Sequence, residues 1–485
     1  MLFNTFPYAV FLPVVFIVYW FVLKKNLRLQ NLFLLLASYY FYSCWDWRFL
    51  FLLAFTTILD FWIGLKINSG TEKSAKAWMW FSIAVNIGVL GIFKYFNFFS
   101  ESFADLLGNF GIHFSPWVLN IILPVGISFY TFHGLSYIID LYRKKIPVER
   151  NFVNYALFVS FFPLLVAGPI ERGAHLLPQI KVARRFDFEN AMDGLRQILW
   201  GLFKKMVIAD NCAAYADILF SQPGSYEGAA LFFGAIMFAF QIYGDFSGYT
   251  DIAAGTARLF GFDLLKNFSY PYFSKSIGEF WKRWHISLSS WFRDYLYIPL
   301  GGSRISKAIT IRNVFIIFLV SGFWHGANWT FIFWGLLHAV FYLPSVIVRN
   351  HRTKREKQSN ARSFLDGFSI LGTFLLVTLA WIVFRAADIR QAFQYIYRMI
   401  AKLCSPDGFH QLSELLAWRH YYSILLLSFL ILFYIIEWKG RHLSFPLQQL
   451  QQRWSGGLRY GLYVILCFII FWFSGSSQQF IYFQF

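Results

Sequence analysis

Apolar stretches about as long as a membrane is thick recur along most of the 485-residue chain. A helix needs about 20 mostly apolar residues to cross a bilayer, whereas a barrel strand would alternate apolar and polar residues. The unbroken runs therefore predict an all-α polytopic membrane protein with roughly 11 transmembrane helices. The predicted spans lie near 6–23, 29–45, 47–65, 77–99 and 117–141, and again near 310–327, 329–348, 364–384, 420–437 and 458–474.

The region between residues 150 and 315 has a less regular pattern. Helix interruptions are predicted at "FFPLLVAGPIERGAHLLPQI" and at "IYGDFSGYTDIAAGTARLFGF". Irregular backbone at membrane depth is tolerated only where protein buries it or where it lines a cavity, so a functional site is expected in this region. We interpret 1–485 as one membrane domain with N-terminal helices in 1–150, a core that contains the expected site in 151–348 and C-terminal helices in 364–485.

Composition agrees with a membrane protein and argues against nucleic-acid binding. The chain is 58% hydrophobic and 22% aromatic, with 14% charged residues and a mean hydropathy of +0.50. A soluble protein of this size could not bury so much apolar surface. The net charge of +18 comes from Lys and Arg in short loops, which indicates anionic lipid headgroups as partners. The four cysteines have neither metal-site spacing nor the pattern of a disulfide framework.

The basic loops also predict the orientation of the chain in the membrane. Lys and Arg are concentrated in the loops at 66–76, 143–150 and 349–362, while the 100–116 loop contains neither. Because basic loops are retained in the cytoplasm, the first three loops are predicted to be cytoplasmic and the 100–116 loop external.

One apolar stretch, "FLVSGFWHGANWTFIFWGLLHA" at 318–339, contains a histidine, His325. A strongly polar residue in a membrane span is costly and suggests function, but a neutral histidine can also serve helix packing beside small residues. The sequence leaves both interpretations open. At 100° per residue, Gly322, His325, Gly326 and Trp329 would share a helix face and His338 would lie off it, so His338 is predicted to be structural.

A second polar segment reads "FWKRWHISLSSWFRDYLYIPLGG" at 280–302. Its mixture of aromatic and basic residues is typical of an interfacial helix at the cytoplasmic side. Lys282 and Arg283 would contact lipid headgroups, or else a phosphate-bearing donor substrate. His285 is either a second polar residue of the site or a structural one. If the segment is helical, one face carries Trp281, Trp284, His285 and Leu288.

Two carboxylates, Asp245 and Asp251, lie in a weakly apolar segment and need partners, because an unpaired charge there is expensive. Pairing with Arg258 or with the following basic segment is predicted. Asp251 is also a candidate for binding donor or acceptor, together with Trp324 and Asn328, which flank His325 in the sequence.

Three motifs in this order, "GDFSGYTDIAAGTARLFGF", "FWKRWHISLSSWFRDYLYIPLGG" and "SGFWHGANWTFIFWGLLHA", resemble the membrane-bound O-acyltransferase (MBOAT) family. The likeness is strongest to its bacterial branch, which includes membrane subunits of alginate O-acetylation. The resemblance implies a ring of tilted helices around a thin central region, with a cavity open to each side. His325 matches the catalytic histidine of the family, and His285 matches the second signature position.

The resemblance also implies a function. It predicts transfer of an acetyl group from cytoplasmic acetyl-CoA to a polysaccharide hydroxyl outside the cell or to a separate extracytoplasmic acetyltransferase. Acetyl-CoA would be a substrate, and no bound cofactor or metal is expected. His325 would act as general base, and the protein would be a multi-pass protein of the bacterial inner membrane. The alternative is a transporter or channel that moves an acylated or anionic molecule through the same polar midplane without covalent chemistry.

Overall fold

The computed structural model describes residues 1–119, 122–347, 364–476 and 478–481. These residues form helices and connecting segments with no β-strand among them, so the predicted all-α class is confirmed. The basic loop predicted at 349–362 lies outside the described residues. Among those described, seven helices are long and apolar enough to cross a membrane: Arg48–Ser69, Glu72–Asn109, Gly228–Leu259, Lys307–His325, Trp329–Ile347, Leu365–Arg385 and His420–Gly440.

Shorter apolar helical stretches occur at Phe6–Val22, Phe152–Ala167 and Gly456–Trp472. Several of the spans predicted from the sequence correspond to these helices. The 117–141 span is wrong in its first part, because helix begins only at Ile127. Gly126 has φ +71° there, a left-handed conformation that glycine adopts without steric cost, so the chain turns before the helix starts.

The chain divides into two compact units, and the first comprises Met1–Ile198 with Ile252–Leu265. Polar side chains cap several of its helices, as Asn26, Thr71 and Asn151 accept hydrogen bonds from the first turns that follow them. Its helices are α1 (Phe6–Ile17), α2 (Leu27–Ser43), α3 (Arg48–Ser69), α4 (Glu72–Leu90), α5 (Phe96–Asn109), α6 (Ile127–Tyr142), α7 (Phe152–Ser160), α8 (Phe162–Ala167), α9 (Gly173–Lys181) and most of α10 (Phe188–Leu202).

The interruption predicted at "FFPLLVAGPIERGAHLLPQI" is confirmed. Helix α8 ends at Ala167, and α9 begins at Gly173 after a non-helical stretch. The carboxylate of Glu171 in this stretch is fully buried; it accepts hydrogen bonds from the backbone N–H of Leu265 at 2.6 Å and from His175 Nδ1 at 2.8 Å. A buried carboxylate with two donors is well satisfied, and it holds this irregular backbone in place.

The second unit comprises Leu199–Asp251 and Lys266–Phe485. Its apolar core contains Trp200, Trp284, Trp334 and Trp381, all nearly inaccessible to solvent. Its helices are α11 (Asp210–Ser221), most of α12 (Gly228–Leu259), α13 (Ile277–Arg283), α14 (Ile286–Phe292), α15 (Lys307–His325), α16 (Trp329–Ile347), α17 (Phe364–Arg385), α18 (Ile389–Ala401), α19 (Pro406–Trp418), α20 (His420–Gly440), α21 (Leu450–Arg453) and α22 (Gly456–Trp472).

The interruption predicted at "IYGDFSGYTDIAAGTARLFGF" is wrong, because α12 continues without a break through 32 residues. The glycines that suggested a break permit close packing instead. A Cβ at Gly248 would lie 2.8 Å from the carbonyl oxygen of Gly201, and a Cβ at Gly244 would lie 3.0 Å from that of Lys204. Small residues let backbones approach each other, which in a membrane protein is a main source of helix association.

Candidate active site

His325 is the last residue of α15, and its side chain is 3% exposed. The helix ends there because Gly326 is extended, with φ −167° and ψ 159°, and the chain turns back into α16. The two helices form a close hairpin in which a Cβ at Gly322 would lie 2.2 Å from the carbonyl oxygen of Phe331. The shared face predicted for Gly322, His325, Gly326 and Trp329 is therefore wrong, since Trp329 starts the next helix and is exposed.

Aromatic rings surround the imidazole of His325. Its ring centroid lies 4.8 Å from that of Trp324, 5.0 Å from Trp334 and 5.3 Å from Phe384. The planes are steeply inclined in all three pairs, between 71° and 85°, as expected for edge-to-face contacts between aromatic rings. The imidazole is thus packed edge-to-face against these rings.

His285 lies at a break between α13 and α14, so the single helix predicted for 280–302 is wrong. It adopts the left-handed conformation, with φ +43° and ψ +53°, and is 1% exposed. For a residue with a Cβ this conformation costs about 1–2 kcal/mol. Asn267 anchors the strained turn, because its carbonyl accepts from the backbone N–H of Ile286 at 2.9 Å and its Oδ1 accepts from Ser287 Oγ at 2.5 Å.

The folded chain brings the two predicted histidines into one aromatic cluster. The ring of Trp324 lies 5.8 Å from the ring of His285 and 4.8 Å from that of His325, and Trp324 itself is buried. On its other side, His285 packs against Phe246 of α12 at 4.8 Å. Residues 40 positions apart in the sequence therefore meet around one indole ring.

The structure also shows the surroundings of three other candidate residues, Asn328, Arg283 and Lys282. Asn328 immediately precedes α16, where its Oδ1 accepts from the N–H of Thr330 at 3.0 Å and its Nδ2 donates to the carbonyl of Ala387 at 2.9 Å. Arg283 pairs with Glu279 of its own helix at 2.6 Å, and Lys282 is exposed. Asn328 thus stabilises the fold beside the cluster, and Lys282 is accessible to an anion.

The carboxylates of α12 form ion pairs with two adjacent lysines that our sequence analysis did not consider. Asp251 lies 2.6 Å from Lys204 Nζ, and Asp245 lies 2.7 Å from Lys205 Nζ. Asp210 lies 2.7 Å from the same Lys205 ammonium. The prediction of structural pairing is confirmed, although the partners precede the carboxylates in the chain. The lysine pair in the apolar segment "LFKKMVIA" was the available signal, because charges in such a segment require partners.

The C-terminal segment is a second element that our sequence analysis missed. Lys205 Nζ donates to the carbonyl of Gln478 at 3.1 Å, and the backbone N–H of Ile481 donates to Asp245 Oδ2 at 2.6 Å. Phe480 is fully buried, and its ring lies 6.1 Å from Phe246, the residue that packs against His285. The end of the described chain is thus anchored by charged side chains next to the histidine cluster.

His338 lies closer to this cluster than helical spacing predicted. It is fully buried on α16, with its ring 4.7 Å from that of Trp334, which also contacts His325. Trp281 of α13 donates from Nε1 to His338 Nδ1 at 3.2 Å. The hairpin of α15 and α16 folds the histidine back toward His325, an effect that a single helical wheel cannot show.

Comparison with known proteins agrees with this arrangement. Residues 142–376 match the model of the membrane-bound O-acyltransferase family. The chain is 41% identical to the probable alginate O-acetylase AlgI of Pseudomonas aeruginosa, over 85% of this chain and 76% of the relative. It is 35% identical to the peptidoglycan O-acetyltransferase of Helicobacter pylori, over 100% of this chain and 98% of that relative. A teichoic acid D-alanyltransferase of Bacillus subtilis is 30% identical over 46% of this chain and 58% of that relative.

Proposed function

The chain belongs to the membrane-bound O-acyltransferase family, and we propose that it moves an acetyl group from cytoplasmic acetyl-CoA to an extracytoplasmic polysaccharide hydroxyl or to a partner acetyltransferase. It is a multi-pass membrane protein and an acyltransferase. The acetyl group and the polysaccharide acceptor are supported by relatives named for O-acetylation of alginate and of peptidoglycan. One of these relatives aligns with the entire chain.

The proposed orientation places the protein in the bacterial inner membrane, with residues 1–485 forming one catalytic domain of about 11 spans. The basic segments at 66–76 and 143–150 face the cytoplasm and the 100–116 segment faces outward, because Lys and Arg alternate in that sense. The prediction of a loop over all of 100–116 is wrong in its first part, because α5 continues to Asn109. The part of the 265–305 segment around Leu300, which contacts Arg312 in the second turn of α15, then lies near the cytoplasmic side and borders the donor entrance. His285 of the same segment lies deeper, because it packs against Trp324 near the other end of α15. Anionic headgroups surround the basic loops.

The observation that carries the proposal is the position of His325. A buried imidazole with three aromatic neighbours ends a membrane helix and shares Trp324 with a second buried histidine. Its hairpin is held together by glycine contacts, which maintain the backbone around it. A residue so constrained meets the main requirement of a general base, which is a fixed position relative to the reacting atoms.

In the proposed reaction, neutral His325 accepts the proton of an acceptor hydroxyl as its oxygen attacks the thioester carbonyl carbon. The C–O bond forms, the tetrahedral intermediate collapses, and the C–S bond breaks. The imidazolium of His325 returns the proton to the departing thiolate, so the imidazole is neutral again at the end. General-base assistance of this kind contributes about 10²–10⁴ in rate.

His285 serves in this proposal as the second polar residue of the site, positioned by the strained turn that Asn267 anchors. Backbone strain persists where the surroundings over-determine the conformation, and such strain is frequent in active sites. Trp324 fixes the two imidazoles relative to each other. Lys282 and Arg283 are proposed to attract the phosphate groups of the donor, and Asp251, Trp324 and Asn328 to border the bound substrates.

The experiment uses purified protein in lipid nanodiscs with acetyl-CoA radiolabelled in the acetyl group and a soluble oligosaccharide acceptor. Release of free coenzyme A and transfer of label to the saccharide are both measured. We expect the wild-type protein to produce both and His325→Ala to produce neither. If the wild-type protein transports label across a sealed bilayer without cleaving the thioester, a transporter function replaces this proposal.

A further inference from the structure

His338 has a defined tautomer in the structure. The indole Nε1 of Trp281 lies 3.2 Å from His338 Nδ1, and an indole N–H can only donate. Nδ1 must therefore be the acceptor, which means that it carries no proton. A neutral imidazole with an unprotonated Nδ1 carries its hydrogen on Nε2, so His338 presents one N–H donor on the side away from Trp281.

The N–H at Nε2 of His338 has no acceptor within the part of the chain that the structure describes. The N–H at Nε1 of Trp334 also has none there. Both side chains are fully buried. Leaving a buried donor unsatisfied costs about 1–3 kcal/mol, and proteins rarely do so without a reason. Two such donors lie on one helix beside the proposed base, where a ligand could supply their acceptors.

Successive ring contacts connect the two donors to His325. The rings of His338 and Trp334 are 4.7 Å apart, and those of Trp334 and His325 are 5.0 Å apart. Trp334 and His338 are one helical turn apart on α16, which places side chains on the same face at roughly 5–6 Å separation. His338 is the farther of the two from the hairpin turn and the nearer to the end of α16 that precedes the basic 349–362 loop.

The thiol arm of coenzyme A carries acceptors at a matching spacing. From the thioester carbonyl carbon, the arm continues through sulfur, two methylenes and nitrogen to an amide carbonyl, a path of five bonds that extends to roughly 6 Å. A donor that enters from the cytoplasmic end with its thioester at His325 would place this amide farther along α16. Both carbonyl oxygens accept hydrogen bonds, and neither can donate one.

We propose that Trp334 and His338 form a pair of N–H donors that recognises the thiol arm of the donor, Trp334 at the thioester carbonyl and His338 at the first amide carbonyl. The inference rests on the proposed function and extends it to donor specificity. His338 is a positioning residue in this assignment, because it holds the arm so that the thioester carbonyl remains beside His325. Discrimination against donors without the amide follows, since such a donor would leave the imidazole N–H unsatisfied when bound.

The test compares two small thioesters of equal chain length in an assay that measures release of the free thiol: S-acetyl-N-acetylcysteamine, which contains the amide, and S-pentyl thioacetate, which does not. We expect kcat/KM for the wild-type protein to favour the amide donor by roughly tenfold or more. His338→Phe keeps a ring of similar volume but removes the donor, so it should lower kcat/KM for the amide donor toward the value for the pentyl donor and abolish most of the preference. His338→Gln, which retains an N–H, should recover part of the preference.

His133→Phe is the matched control, since His133 is another fully buried histidine and lies in the first unit. It should keep the wild-type preference for the amide. An equal slowing of both thioesters by His338→Phe and His338→Gln would assign a packing role to His338 and overturn the inference, as would a wild-type protein without any preference. If the wild-type protein cleaved neither thioester nor acetyl-CoA, the proposed function itself would fail, and the donor assignment would fail with it.

Discussion

The ammonium group of Lys205 lies 2.7 Å from the carboxylate of Asp245, and both side chains are almost completely buried. A second carboxylate, that of Asp210, lies 2.7 Å from the same ammonium. Pairing offsets much of the cost of burying these charges, and the same groups also hold the segment that contains Gln478 and Ile481. The cluster therefore ties the C-terminal segment to α12 near the histidines.

We predict that Lys205→Met is strongly destabilising, because it leaves two buried carboxylates without their cation. Removing one partner of a buried ion pair costs about 3–5 kcal/mol in the free energy of unfolding. Asp245→Asn should cost less, since Lys205 keeps Asp210 as a partner. Unfolding by increasing fractions of a denaturing detergent measures both changes.

The matched control for this variant is Lys275→Met, which removes a cation paired with Asp366 at 2.7 Å on the exposed surface of the same unit. Exposed pairs contribute about 0–1 kcal/mol, so this variant should unfold almost like the wild-type protein. Equal stabilities for the Lys205 and Lys275 variants would show that the buried cluster contributes little.

We predict that His325→Ala lowers the rate of acetyl transfer by about 10²–10⁴ while the protein remains folded and inserted in the membrane. Alanine suits the end of a helix, and the glycine contacts of the hairpin do not involve the imidazole. Coenzyme A release measures the rate, and size-exclusion chromatography measures the folded fraction. His133→Ala removes a comparably buried histidine outside the cluster and should retain activity. A folded His325→Ala protein with a near-normal rate would rule out the general-base assignment.

A comparison of His285→Gly with His285→Ala separates the role of the ring from that of the backbone. Glycine adopts the left-handed conformation freely, so the Gly variant should be more stable than the Ala variant by about 1 kcal/mol. If the imidazole contributes to the reaction, both variants should lose activity despite this difference. Full activity in His285→Gly would indicate that only the turn geometry matters. Thermal unfolding and coenzyme A release are measured on the same preparations.

We predict that residues 102 and 359 lie on opposite sides of the membrane. Single cysteines would be introduced at Ser102 and at Ser359 after the four native cysteines are replaced by alanine. A membrane-impermeant maleimide added to intact cells should label position 102, and it should label position 359 only after lysis. The charge distribution of the loops requires this result, so labelling of both positions from outside would contradict the proposed topology.

Charge reversal at Lys282 or Arg283 should raise the KM for acetyl-CoA more than it lowers kcat, because these residues are proposed to attract the donor rather than to take part in the chemistry. Lys282→Glu is the cleaner variant, since Arg283 also pairs with Glu279. The effect should weaken at high ionic strength. The amide-free S-pentyl thioacetate carries no phosphate, so its KM should stay unchanged in Lys282→Glu. An unchanged KM for acetyl-CoA in both variants would leave only a contact with lipid headgroups.

Much of this protein could be predicted from local patterns. Apolar runs identified the membrane class and many helices, because the cost of burying polar backbone in hydrocarbon applies to every span separately. His325 could be selected because a polar side chain in an apolar segment requires a reason. His285 could be selected because it matches the second signature position of the family. The break around Glu171 was also visible, since the proline and glycines beside it are poor helix formers.

Contacts between distant residues required the folded chain. Helical periodicity describes the faces of one straight helix, so it failed where the chain turned at Gly326 and at His285. The same limitation concealed the position of His338 next to Trp334. The pairing of Lys205 with Asp245 joins residues 40 positions apart, and the buried Phe480 lies farther still along the chain. A sequence shows that a buried charge needs a partner, but packing in three dimensions determines which partner is within reach.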